Sequence, residues 1–126
     1  MYKAQTDYSR KDLRGTLTQV NNKFPVKQVN ILELNRGSIF GGHYHKQKKE
    51  LFYVVSGMVV LTICSMKGGP GYRESTSYTF FPGEAFVVEP YDSHTLFAPH
   101  GKVVVVELLS KPFSEHDTFC VFEEEK

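Results

Sequence analysis

The feature that most limits how this chain can fold is its short-range alternation. Apolar and polar residues alternate with a period of two along most of its length, and the 3.6-residue period of an amphipathic helix is scarce. Residues 29–35 (VNILELN) put Val29, Ile31 and Glu33 on one face and Leu32 and Leu34 on the other. Gly37 opens a second run over 38–45, and KQKK at 46–49 reads as a polar loop. Residues 51–55 (LFYVV) are almost uninterruptedly apolar, which predicts a strand buried on both faces. A Ser56-Gly57 turn then predicts 58–64 (MVVLTIC) as its hairpin partner. Further strands are expected at 78–81, 84–89, 94–97 and 102–109, with turns at Pro82-Gly83 and Tyr91-Asp92. The Gly/Pro-rich stretch 65–77 reads as a surface loop, and the acidic end 123–126 as a solvated tail. Many short strands separated by such turns predict an all-β sandwich or barrel.

The chain's 126 residues make a single domain, 1–126, with enough apolar content (40%) for a real core. A net charge of +1 gives no electrostatic footprint for nucleic acid. No apolar run approaches the ~18 residues of a membrane span. Residues 1–14 are polar and carry no signal-peptide core, and Cys64 and Cys120 are too few for a disulfide scaffold. These observations predict reduced cysteines and a cytoplasmic protein without membrane or nucleic-acid partners.

Within the β pattern, one constellation carries chemistry: Gly37-x5-His43-x-His45-x4-Glu50-x6-Gly57. Residues two apart in a strand share a face, so His43 and His45 point the same way. Glu50 follows the KQKK turn, at the start of the expected partner strand. His94 begins another strand after a turn and is the candidate fourth ligand. Three imidazoles and one carboxylate suit one divalent transition metal ion (Zn, Fe, Mn or Ni) and leave positions open for water or substrate. His100, between Pro99 and Gly101, reads as a loop residue, and His116, between Glu115 and Asp117, as an exposed one.

The stretch from Gly37 to Gly57 resembles the first motif of the cupins, G-x5-H-x-H-x3,4-E-x6-G, at every defined position. The second cupin motif, G-x5-P-x-G-x2-H-x3-N, is matched by Gly83 and His94 in the right spacing. Glu89 stands at the proline position, Tyr91 at the glycine and Ala98 at the asparagine. The resemblance implies a double-stranded β-helix (jelly-roll) barrel with its core at about residues 29–110, holding one metal ion on His43, His45, Glu50 and His94. Upstream, Asp12-Leu13-Arg14-Gly15-Thr16-Leu17 resembles the D-x-R-G-x-[LF] opening of cupins that epimerise or isomerise nucleotide-linked keto sugars. FPVKQV at 24–29 is similar to a ketoisomerase segment, and GGHYHKQKKELFYVVSG to the cupin domain of capsular-polysaccharide epimerase/reductases.

The chemistry implied is enolate chemistry. A 4-keto sugar has acidic C–H bonds beside its carbonyl, and a Lewis acid stabilises the charge that develops on oxygen when one is removed. His43 or His45 is the competing candidate for the base, by similarity to metal-free relatives, and Tyr91 the candidate proton donor. Tyr44 and Tyr53 are expected to point away from the ligands. Arg14, Arg36 and Lys46 are the candidate contacts for a substrate pyrophosphate. An Fe(II)-dependent dioxygenase and a non-enzymatic sugar-binding cupin are the alternative readings. Small cupins resemble dimers, so a homodimer is expected.

Overall fold

The structure, a computed structural model, describes residues 1–5, 8–20, 23–68 and 74–121. Residues 69–73 of the expected loop and all of the acidic tail 123–126 lie outside the described residues. Twelve strands are described: β1 (Tyr2–Ala4), β2 (Tyr8–Asp12), β3 (Gly15–Gln19), β4 (Gln28–Leu34), β5 (Ile39–Tyr44), β6 (Glu50–Ser56), β7 (Val59–Ser65), β8 (Thr76–Phe80), β9 (Ala85–Val88), β10 (Asp92–Phe97), β11 (Val103–Leu109) and β12 (Phe119–Cys120). The only described helical segment longer than one residue is a 3-10 turn at Glu115–Asp117.

The strands form two five-stranded antiparallel sheets, ordered β1-β9-β6-β11-β4 and β12-β5-β10-β7-β8, and a separate β2-β3 hairpin. The alternation read in the sequence is what packs them. Leu34, Phe52, Val54, Val105 and Phe86 from the first sheet meet Val59, Leu61, Phe80 and Leu96 from the second in one buried cluster. Each fully buried Phe, Leu or Val side chain contributes about 1.5–3 kcal/mol. On β4 the burial alternates as the sequence predicts, with Val29, Ile31 and Glu33 exposed and Leu34 buried.

Two pairings differ from the sequence expectation. The turn at Ser56-Gly57 does not close a hairpin: β6 pairs with β9 and β11, whereas β7 pairs with β8 and β10 in the opposite sheet. The polar loop 46–49 likewise carries the chain between sheets, so β5 and β6 are not partners. The reason lies in the burial of β6 on both faces. Phe52 and Val54 enter the central core, while Leu51 joins Ala85, Val87 and Leu108 under Val20, Phe24 and Val26 on the outside of the same sheet. A strand covered on both faces is satisfied in the middle of a sheet, between two long partners. A two-stranded hairpin with β7 would leave one of its faces open.

Candidate functional site

The histidines are assembled by strand register. β5 runs antiparallel to β10 with His43 opposite His94, and the register shifts at the bulge between His94 and Thr95. Gly41 makes this approach possible. Its φ is +111°, and a Cβ there would stand 2.4 Å from the carbonyl oxygen of His94. His45 lies one residue beyond the end of β5 and reaches the same place. One ligand atom from each of His43, His45 and His94 lies within 4.8 Å of the others.

Glu50, at the start of β6, arrives from the other sheet. Its Oε1 is 2.8 Å from His45 Nε2 and 3.7 Å from His94 Nε2. Glu50 and His94 are 2% and 1% exposed. Glu50 Oε1 and His94 Nε2 are buried polar atoms without a hydrogen bond of acceptable geometry. Such a pair is costly to leave without a partner.

The ring nitrogens facing away from this point are held by backbone carbonyls. His45 Nδ1 meets the Asp117 carbonyl, and His94 Nδ1 the Asp92 carbonyl at 3.2 Å. A carbonyl oxygen only accepts, so both Nδ1 atoms carry the proton and both Nε2 lone pairs turn toward Glu50 Oε1. This is the outer arrangement that orients metal-ligating histidines. Burial, reinforced by the neighbouring imidazoles, lowers the His43 pKa to about 4. Burial likewise lowers that of His94. Both rings are therefore neutral at neutral pH and offer lone pairs.

The residues present fit a divalent metal. Three ligands each ~2.1 Å from one ion stand about 3.0–3.6 Å apart. Histidine atoms as far as 4.8 Å apart close by about an ångström or more to share an ion. Glu50 flanks this three-histidine set on the side of His45 and His94.

The sequence reading missed Glu107, Asn30, Lys48 and Asp117. Glu107, the single charge in the apolar run of β11, is 4% exposed and contacts Glu50. Burial and the Glu50 charge raise its pKa to about 8, whereas Glu50 is held below the carboxylate range. Burial alone would raise Glu50, but the close approach of His45 and Glu107 outweighs it. Lys48 was grouped with Lys46 and Lys49 as one loop, yet it is 3% exposed while both neighbours are exposed. Its charge opposes protonation of both His43 and Glu107. The buried Asp117 carboxylate accepts the backbone N–H groups of Lys46 and Gln47, at 2.8 and 3.2 Å. With β12 paired to β5, it straps the C-terminal segment over the histidine-bearing strand.

Other expected site residues lie elsewhere. Tyr91 is not brought into the cluster. Its ring stacks on Tyr44, at 6.3 Å between centroids, and Tyr44 leaves β5 on the face opposite His43. Tyr91 also adopts φ +70°, a left-handed conformation that favours glycine, the residue the motif has at this place. Arg14 pairs with Asp12 at the tip of the β2-β3 hairpin, at 2.7 Å, so the D-x-R-G segment forms that turn. Arg36 is exposed in the turn between β4 and β5. Lys46 is exposed, with Nζ 4.2 Å from the centroid of the Phe119 ring.

A family model of the cupins matches residues 8–122. The chain is a cupin. This cupin shares its fold with solved nucleotide-sugar enzymes. The 3,4-ketoisomerase QdtA of Thermoanaerobacterium thermosaccharolyticum, solved with TDP, aligns at 20% identity and a TM-score of 0.77. That alignment covers 97% of this chain and 86% of the other. The dTDP-4-dehydrorhamnose 3,5-epimerase of Bacillus anthracis, with TDP and pyrophosphate bound, aligns at 18% identity and 0.75, covering 90% and 74%. The 3,5-epimerase RmlC of Legionella pneumophila, in complex with dTDP-4-keto-L-rhamnose, aligns at 14% and 0.75, covering 94% and 76%. A search of the curated proteins finds no match. Among the described residues, no helix is long and apolar enough to cross a membrane.

Proposed function

We propose that this cupin is a metal-dependent enzyme that epimerises or isomerises a nucleotide-linked keto-deoxysugar. The observation that carries the reading is the buried meeting point of Glu50 Oε1 and His94 Nε2, without hydrogen bonds, beside two further imidazoles. The choice of substrate is supported by the D-x-R-G opening and by the fold shared with enzymes solved with TDP or a dTDP-sugar.

In this reading His43, His45, His94 and Glu50 hold one divalent transition metal ion. When bound, the ion supplies Lewis acidity toward the oxygen that gains charge. The protein's own residues do the rest. Asp117 and Asp92 fix the imidazole tautomers through their carbonyls. Phe52, fully buried and packed edge-on against His94, keeps water from that side of the cluster. His43 is the histidine of the three with partial exposure, and it is the one we assign to face the sugar. Arg14, Arg36 and Lys46, all exposed, are the proposed contacts for the pyrophosphate.

The same reading includes a homodimer. All ten strand residues of the β2-β3 hairpin are exposed, Tyr8 and Leu17 among them, and Val29 and Ile31 are exposed on the edge strand β4. An isolated two-stranded hairpin is marginal in water, and a second copy is the proposed cover. A cytoplasmic location is part of the proposal, in keeping with the unpaired Cys64 and Cys120.

The test is incubation of metal-loaded protein with a panel of nucleotide 4-keto-6-deoxysugars in D2O. Deuterium at C3 or C5 of the sugar is the expected result. No exchange at either carbon across the panel refutes the reading, and oxygen uptake with ferrous iron would redirect it to a dioxygenase.

A further inference from the structure

Lys48 is the one buried lysine or arginine among the described residues. It is 3% exposed, although its loop neighbours Gln47 and Lys49 are both exposed. The backbone is fixed on either side of it. The Asp117 carboxylate accepts the N–H groups of Lys46 and Gln47. Beyond it, the Lys49 N–H donates to Ser110 Oγ at 2.8 Å, and the Lys49 carbonyl accepts the Ser110 N–H at 3.0 Å. Between these anchors the side chain is buried like that of Glu50 two residues on, the spacing that shares a face in extended chain.

The ammonium is left without an anion. Among the described residues no hydrogen bond or ion pair engages it. Glu107 Oε1 takes its hydrogen bond from Asn30 Nδ2, at 2.8 Å, and Glu50 Oε1 is turned to His45 and His94. What Lys48 does meet is the exposed ring of Phe113, whose centroid lies 5.5 Å from Nζ. A cation–π contact of that kind offsets only a small part of what burying an ammonium costs. The charge reaches His43, the histidine of the cluster with partial exposure. We propose that Lys48 binds an anionic oxygen of the ligand, a compact oxyanion of carboxylate size seated beside His43. Arg14, Arg36 and Lys46 are exposed and remain the contacts for the more distant diphosphate. A hydrogen bond from a fixed, buried cation to a charged oxygen is among the stronger ones a protein makes.

The inference rests on the reading of the histidine cluster as the place where substrate binds, and the experiment separates it from the metal reading. Calorimetry of the full chain, metal-free and cobalt-loaded, compares wild type with Lys48→Met for glycolate, for its neutral counterpart glycolamide, and for TDP. Glycolate should bind the variant about 10–100-fold more weakly, as when a hydrogen bond to a charged group is lost. Glycolamide and TDP should bind both proteins alike. The urea midpoint of metal-free Lys48→Met should equal or exceed that of wild type, because a buried unpaired charge has been removed. A lysine that merely supports the fold would give the reverse: a lower midpoint with glycolate affinity unchanged, which overturns the inference. Lys48→Gln carries the same comparison if Lys48→Met does not fold. Wild-type protein that binds no glycolate in either form overturns it too, as does a variant that loses TDP and keeps glycolate. In the deuterium-exchange assay, a loss in kcat places the oxyanion in the reaction, and a loss in KM places it on the bound substrate. Wild-type protein that takes up no cobalt removes the metal reading, while the metal-free titrations still decide the role of Lys48.

Discussion

Gly41 is where the fold and the candidate site depend on the same atom. A Cβ at this position would stand 2.4 Å from the His94 carbonyl oxygen and 3.2 Å from Thr95 Cα. Non-bonded carbon contacts are optimal near ~3.5 Å, so β5 and β10 would have to part by about 1 Å. The obstacle is backbone, so no side-chain rotation relieves it. The backbone also sits at φ +111°, where a residue with a Cβ costs about 1–3 kcal/mol. Forced overpacking adds about 1–3 kcal/mol. Gly41→Ala should therefore destabilise the metal-free protein by roughly 2–6 kcal/mol, a large part of a typical domain's 5–15 kcal/mol. The displaced strand carries His43, and the strand it pushes carries His94. Misplacing a reacting group by 1 Å costs up to about 100-fold in rate. Urea unfolding gives the stability, and cobalt affinity reports the histidine geometry. A stability loss under about 0.5 kcal/mol with unchanged cobalt affinity would show that the two strands do not meet as described.

The acid and base limbs of stability follow from the buried groups. The folded state keeps His43 neutral down to a pH of about 4, whereas the unfolded chain protonates it near 6.5. The unfolded state thus binds more protons in that window, and stability falls as pH drops from 6.5 toward 4, with His94 acting in the same sense. Glu107 acts oppositely. Folded protein keeps its proton up to about 8 while the unfolded chain loses it near 4.5, so its contribution is lost as pH rises from 4.5 to about 8, opposed by the two histidines below 6.5 and unopposed above it. Urea melts of metal-stripped protein should peak near pH 6–6.5, and a steady rise from 6.5 to 8 would refute the assignment of the proton to Glu107. His45→Ala and Glu50→Gln should each abolish stoichiometric metal in elemental analysis, and a full equivalent retained by either removes that residue from the ligand set.

Local pattern was enough to mark strands β4 to β11 and their inward faces, whereas β1, β2, β3 and β12 were not read from it. Period-two alternation marks which side of β4 is buried, and His43-x-His45 places both rings on one side, because side-chain direction in a strand depends only on local geometry. The spacing to Glu50 and His94 was legible for the same reason, as a pattern of residue types along the chain. Pairing was not legible. Whether β6 joins β7 or enters the other sheet depends on what covers its second face, and Val20, Phe24 and Val26 do so from a distant segment. Glu107, Asn30, Lys48 and Asp117 were hidden for a related reason. Each is an unremarkable polar residue in its own segment, and it gains a role only when register or loop packing sets it beside a group remote in sequence. Local backbone geometry is written in short-range pattern. The partners of a buried polar atom are set only when separate strands close around it, since burial is a property of the assembled barrel.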